Sequence, residues 1–314
     1  MALPAIADAR LAWPDARIAI AARASVAPLF SFVPGVDDVV APDALKAGSF
    51  DAALLLTNSF HTAWTAWRAG IPERWGYRAD WRGPLLTRAI ARPSGVHQAD
   101  SYRQLVRSLG REHERENGPR QPMIAVAPEA RRAAADRLAA AGWDGRAPLV
   151  AMAPGAAYGG AKRWPAESFA AVAAELARRD GAAIVLVGTA ADAAAGEDVI
   201  RDVARRAGRD VVNLIGQTDL PALAAVLVNC RGLVTNDSGA MHLAAALGVA
   251  VTAMFGPTIE GETRPLGPEG TAAPAVLTHD VWCRPCMLRE CPLSHACMRG
   301  ITADAVLAAA RRTL

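Results

Sequence analysis

Three short stretches carry residues that could bind a ligand, and two of them could hold an anion. In "APGAAYGGAKRWPAESF", glycines 155, 159 and 160 loosen a loop in which Lys162 and Arg163 stand just ahead of Pro165. A lysine at such a place neutralises a diphosphate as a point charge. Two solvated cations on a surface loop would carry the same letters. In "TNDSGAMH", Asp237, Ser238 and Gly239 read as the entry to a helix, with His242 one turn inside it. A helix N-terminus leaves N–H groups unpaired and concentrates positive dipole, which attracts phosphate. Gly239 would admit a ligand close to the backbone. A plain helix cap with His242 packed inside is the competing reading. The third stretch, "GTAADAAAGED", offers Asp192 as an acceptor for ribose hydroxyls or as an ordinary helix-entry acid.

The first half of the chain has another chemistry. Trp64, Trp67, Trp75 and Trp81 fall within "WTAWRAGIPERWGYRADW", and residues 61–120 hold eleven arginines against six acids. Aromatic faces suit sugar rings or acyl chains, and arginine grips phosphate or carboxylate bidentately. That pairing fits a bulky, amphiphilic, anionic partner, or equally an arginine-rich composition with its tryptophans in the core. Near the other end, Cys283, Cys286, Cys291 and Cys297 crowd into "CRPCMLRECPLSHAC", with His295 among them. Four thiolates can hold a structural zinc. Free thiols are the alternative, and no neighbouring base marks any of them as a nucleophile.

These residues need a scaffold, and 314 residues at 52% hydrophobic composition suffice for two cores. Short apolar runs at 17–22, 37–42, 50–56, 148–155, 182–189, 211–216 and 232–237 read as strands, with helical patterns between them. Such alternation predicts two α/β domains with parallel sheets. The polar stretch 111–122 marks the approach to the boundary, placed at 142/143. The uncharged run 238–259 is long enough to suggest a membrane span. Gly248 divides it, and neither half approaches the ~20 residues a span requires. A net charge of +3 is too small for a nucleic-acid binder. The N-terminus has Asp8 where a signal peptide keeps its apolar core, which predicts a cytoplasmic protein. No Gly-x-Gly-x-x-Gly follows an early strand, which argues against a dinucleotide-dependent dehydrogenase.

Taken in order, "LLLTNSFHTAWTAWRAGIPERWGYR", "PGAAYGGAKRWP", "VLVGTAADAAAGE", "TNDSGAMHLAAALG" and "FGPT" resemble the ADP-heptose:lipopolysaccharide heptosyltransferases of glycosyltransferase family 9, the heptosyltransferase II group above all. The resemblance implies a GT-B fold, with two Rossmann-like domains facing across a cleft. Residues 1–142 would receive the lipid A–Kdo core, with Asn58, Ser59, Arg74 and Arg78 as candidates, and residues 143–300 would bind ADP-heptose. Residues 301–314 would be a helix packing back toward the first domain. Lys162 would contact the diphosphate and Asp192 the ribose, while Asp237, Ser238, Gly239 and His242 surround diphosphate and sugar. No cofactor is required, and contact with the membrane's inner leaflet would be peripheral. Family members begin with a strand and a Gly-Asp motif ahead of the helix that here reads "MALPAIADARLA". The resemblance therefore implies that the first strand and the base aspartate lie upstream of Met1, so no catalytic base is assigned. It also leaves a second reading, a nucleotide-sugar-binding protein inactive in transfer.

Overall fold

The computed structural model describes residues 1–109 and 124–314. The polar stretch at 111–122 lies outside the described residues. Contacts divide the chain into one unit spanning Met1–Ile124 and a second spanning Ala125–Leu314.

The first unit runs α1 (Leu3–Ala12), β1 (Ala19–Ala21), β2 (Asp38–Val40), β3 (Ala52–Leu55), α2 (Phe60–Arg68), β4 (Glu73–Tyr77), β5 (Arg88–Ile90) and α3 (Gln98–Leu109). Its strands form two parallel sheets, β1–β2 and β3–β4–β5. Among the described residues β1 pairs only with β2, and β3 only with β4. Alanines 5 and 9 of α1 pack with Val106 of α3, and Ile18 and Leu54 lie against the same cluster. Beneath them Asp8 and Arg103 form a buried ion pair at 2.8 Å that ties α1 to α3. In α2, Ser59 caps the first turn, and Ala63 and Ala66 face inward. Phe60, Trp64 and Trp67 stack along the outer face of the same helix.

The second unit begins with α4 (Pro128–Ala140), which packs on a later helix of the same unit, Leu220–Leu227. That packing moves the boundary to 124/125, ahead of the expected 142/143. The order continues β6 (Leu149–Ala153), α5 (Ala166–Arg179), β7 (Ala183–Leu186), α6 (Ala193–Ala207), β8 (Val212–Asn213), α7 (Leu220–Leu227), β9 (Gly232–Asn236), α8 (Gly239–Ala246), β10 (Ala250–Phe255), α9 (Glu260–Thr263), β11 (Ala275–Thr278), α10 (Ala296–Arg299) and α11 (Ala303–Thr313). Six parallel strands lie in the order β11-β10-β9-β6-β7-β8. Every residue of β6 and β9 is buried, as a parallel sheet covered on both faces requires. The uncharged run resolves into α8 and β10, separated by Gly248 at φ +75°. Among the described residues no helix is long and apolar enough to cross a membrane. Val306, Ala309 and Ala310 bury the inner face of α11, which packs against α5 and β10 of its own unit.

Candidate functional site

Strand order locates the site before any side chain is considered. From β6 the chain proceeds to β7 on one side, while β9 flanks β6 on the other. In open parallel sheets, ligands bind at the carboxyl ends of strands where the order reverses. The glycine loop leaves the carboxyl end of β6, and the "NDSG" turn leaves the carboxyl end of β9.

Asn236 joins these two loops. Its amide donates to the carbonyls of Pro154 and Gly155 at 2.9 and 3.1 Å, and its Oδ1 accepts the Trp164 N–H at 3.0 Å. Thus both ends of the loop carrying Lys162 are fixed to the end of β9. Lys162 Nζ then reaches Asp237 Oδ2 at 2.5 Å, and the Thr258 hydroxyl donates to the same oxygen at 2.8 Å. Only 12% of the Lys162 side chain and 7% of the Asp237 side chain remain exposed. Ser238 Oγ accepts the Met241 N–H at 3.4 Å and so caps α8. A Cβ at Gly239 would meet nothing within 4 Å, so the protein's own packing does not demand glycine there. His242 is half-buried one turn into the helix.

Asp192 is buried at the end of β7, where its Oδ2 accepts the Thr189 N–H and hydroxyl, both at 2.9 Å. This is the helix-entry role. The other oxygen faces Arg163 at 4.0 Å, and a Cβ at Gly155 would fall 2.1 Å from this carboxyl group. Gly155 is therefore glycine because Asp192 occupies the space beside it. Lys162, Asp192, Asp237, Ser238, Gly239 and His242 accordingly lie on loops or helix starts following the carboxyl ends of β6, β7 and β9. Sequence reading missed Asn236 as the joining residue and Thr258 as the second partner of Asp237. Both lie inside quoted motifs, but their hydrogen bonds span 82 and 21 residues.

In the first unit, Asn58 and Ser59 follow β3, and Arg78 follows β4 with its side chain exposed. Arg74 does not join them. It sits at the start of β4, and its guanidinium is committed to the carbonyls of Leu85, Ile71 and Pro72. Ser59 is occupied as the cap of α2, and Asn58 Oδ1 accepts from Arg82 at 3.3 Å.

Among the described residues no group of three His, Cys, Asp or Glu side chains already stands in metal-holding geometry. Cys283, Cys286, Cys291 and Cys297 are free and line one cavity of about 120 Å³. Burial pushes the Cys297 thiol up, and the neighbouring thiols push it the same way.

The sequence profile of glycosyltransferase family 9 (heptosyltransferase) matches residues 42–297. Lipopolysaccharide heptosyltransferase 2 from Escherichia coli K12 is 30% identical over 81% of this chain and 78% of its own length. The enzyme of the same name from Salmonella typhimurium LT2 gives the same three values. The solved structure of the E. coli ADP-heptose lipopolysaccharide heptosyltransferase II superposes at a TM-score of 0.81, with 27% identity, covering 99% of this chain and 94% of that one. A family 9 glycosyltransferase from Veillonella parvula, at 23% identity, shares the fold at a TM-score of 0.82, covering 99% and 92%. With parallel α/β units of the GT-B class and a match from residue 42 to 297, this chain belongs to glycosyltransferase family 9.

Proposed function

We propose that the protein transfers L-glycero-D-manno-heptose from ADP-heptose to the inner core of lipopolysaccharide, with inversion at the anomeric carbon. The observation that carries this reading is the Lys162–Asp237–Thr258 cluster beside the start of α8, at the reversal point of the second unit's sheet. A largely buried lysine paired with Asp237 at the entry to α8 sets a cation beside a helix N-terminus, whose dipole also favours a diphosphate. In the ligand-free state Asp237 holds Lys162 in place. An arriving diphosphate offers the ammonium a second anionic partner, while Asp237 keeps its bond from Thr258. Ser238, Gly239 and His242 face the diphosphate and the sugar, and Asp192 the ribose.

The step forms a bond from an acceptor hydroxyl to the anomeric carbon and breaks the bond to the ADP oxygen. Negative charge grows on the departing ADP, and Lys162 with the α8 amides stabilises it. No residue of the chain is assigned as the base that receives the hydroxyl proton, and no step is routed through a metal or cofactor. The acceptor, a lipid A–Kdo core, is read onto the carboxyl end of the first unit's sheet, where Arg78 supplies an exposed cation. Such an acceptor implies peripheral contact with the inner leaflet and a cytoplasmic enzyme.

The test is heptose transfer and ADP binding by purified wild type, Lys162→Ala and Asp237→Ala. Losing a donor that acts on developing charge lowers kcat by about 10²–10³-fold. That loss is expected in Lys162→Ala with folding retained, and wild-type rates in either variant would refute the assignment. ADP binding without transfer in the wild type would instead support a nucleotide-sugar-binding protein.

A further inference from the structure

The cysteine-bearing segment, residues 281–297, bonds to two loops distant from it in sequence. It reaches back across about 130 residues to the loop carrying Lys162. Glu290 Oε1 accepts the Gly160 N–H at 2.9 Å, and the Arg289 carbonyl accepts the Ala161 N–H at 2.9 Å. The Tyr158 hydroxyl donates to the Met287 carbonyl at 2.9 Å. The Tyr158 ring has Lys162 Nζ 4.6 Å and Arg289 Cζ 5.3 Å from its centroid. Approach is so close that a Cβ at Gly159, where φ is +152°, would fall 2.2 Å from the Arg289 carbonyl oxygen.

The same segment holds the other side of the cluster. Arg284 donates from Nε to the Gly256 carbonyl at 2.8 Å and from Nη2 to the Thr258 carbonyl at 3.4 Å, and it pairs with Glu260. The Met287 N–H donates to the Pro257 carbonyl at 2.9 Å. Residues 158–161 lead to Lys162, and residues 256–258 end in the threonine that holds Asp237. Ala161 and Pro257 also both line the thiol-bearing cavity.

We propose that residues 281–297 act as a brace for the diphosphate site, with Glu290 the positioning residue that sets Lys162. This rests on the donor-site reading above. Lys162 must stay near Asp237 without ligand and turn to phosphate with ligand. A loop whose backbone amides are already fixed loses little further freedom on binding, so its lysine is presented at low entropic cost. Glu290 acts through the Gly160 amide and touches no ligand. A glutamine keeps an acceptor oxygen at this position, whereas an alanine removes it.

The test combines a double-mutant cycle with hydrogen exchange. ADP binding is measured calorimetrically for wild type, Glu290→Ala, Glu290→Gln, Lys162→Ala and Glu290→Ala/Lys162→Ala. Loss of a charged acceptor for one amide corresponds to about a tenfold weakening, which is expected for Glu290→Ala and not for Glu290→Gln. In the Lys162→Ala background the same change should cost less than about twofold, because residues acting through one group are not additive. In ligand-free protein, amide exchange at Gly160 and Ala161 should quicken in Glu290→Ala and stay at the wild-type rate in Glu290→Gln. Equal losses in both backgrounds would overturn the proposal, as would unchanged exchange at those two amides. Should wild type bind no ADP, the donor-site reading fails, and the exchange result alone decides whether Glu290 holds this loop.

Discussion

Arg82 is fully buried, and its guanidinium donates to the Tyr77 and Thr57 carbonyls and to Asn58 Oδ1. Burial pushes its pKa down, with Asp80 opposing. It fastens the end of β4 to the loop after β3, beside the exposed Trp81 and the candidate Asn58. Each buried acceptor left unpaired costs ~1–3 kcal/mol. Arg82→Met should therefore lower the melting temperature by several degrees, read by thermal unfolding, and an unchanged midpoint would contradict the role. Composition counted this arginine as one of eleven, and nothing in its spacing marked it as buried. The reason is physical: arginine is seldom fully buried, and only the converging oxygens of Tyr77 and of the Thr57–Asn58 loop make it tolerable here. A second residue is equally silent in sequence. The Cys230 thiol donates to the Val226 carbonyl at 3.4 Å, and burial pushes its pKa up to about 12. Since the thiolate is the nucleophile, iodoacetamide at pH 8 should alkylate Cys283, Cys286 and Cys291 and spare Cys230 in the native protein. Peptide mass spectrometry reads the pattern, and fast labelling of Cys230 would be the contrary result.

At the scale of elements, alternating apolar runs were sufficient to locate β6, β7, β9 and α5, because parallel strands buried on both faces are apolar nearly throughout. The split of the uncharged run at Gly248 was legible for a similar local reason: φ +75° suits glycine. The cysteine segment was legible only in part. Its spacing fits a thiolate site, but its backbone serves the glycine loop through bonds some 130 residues apart in sequence, which no local pattern encodes. Strand β4 illustrates how an element's edge also sets a pH response. Trp75 Nε1–H donates to Glu73 Oε2 at 2.8 Å, and the Thr87 hydroxyl donates to the same oxygen at 2.9 Å. Those bonds hold the Glu73 carboxyl below its ordinary value. A depressed folded-state pKa gives stability that is present above the unfolded pKa and is lost as pH falls through the folded one. Glu73→Gln should thus lose stability at pH 7 and progressively less as pH falls below the ordinary carboxylate range and through the depressed folded-state pKa. Urea midpoints across that range decide it, and a difference that persists in acid would point to packing instead.

At the scale of the whole molecule, the described hydrophobic clusters include a large one in the second unit, around Phe169, Leu176, Leu186 and Met298, and smaller ones in the first, such as that of Ala5, Ala9 and Val106. The proposed donor residues Lys162, Asp192, Asp237 and Thr258 all belong to the second unit, in loops that follow its own strands. If ADP binds there, its free energy should appear as stability of that unit. A ligand at a hundred times its Kd adds about 2.7 kcal/mol to the state that binds it. For a domain of this size each kcal/mol raises the midpoint by about 2–4 °C. Heating with pulsed hydrogen exchange separates the units by their peptides. Residues 149–255 should then unfold several degrees later with ADP present, while peptides from residues 19–109 keep their ligand-free midpoint. Equal shifts in both sets would mean that the two units unfold as one cooperative body. A shift confined to the first set would move the nucleotide to the other unit and remove the basis for Lys162 as its diphosphate ligand.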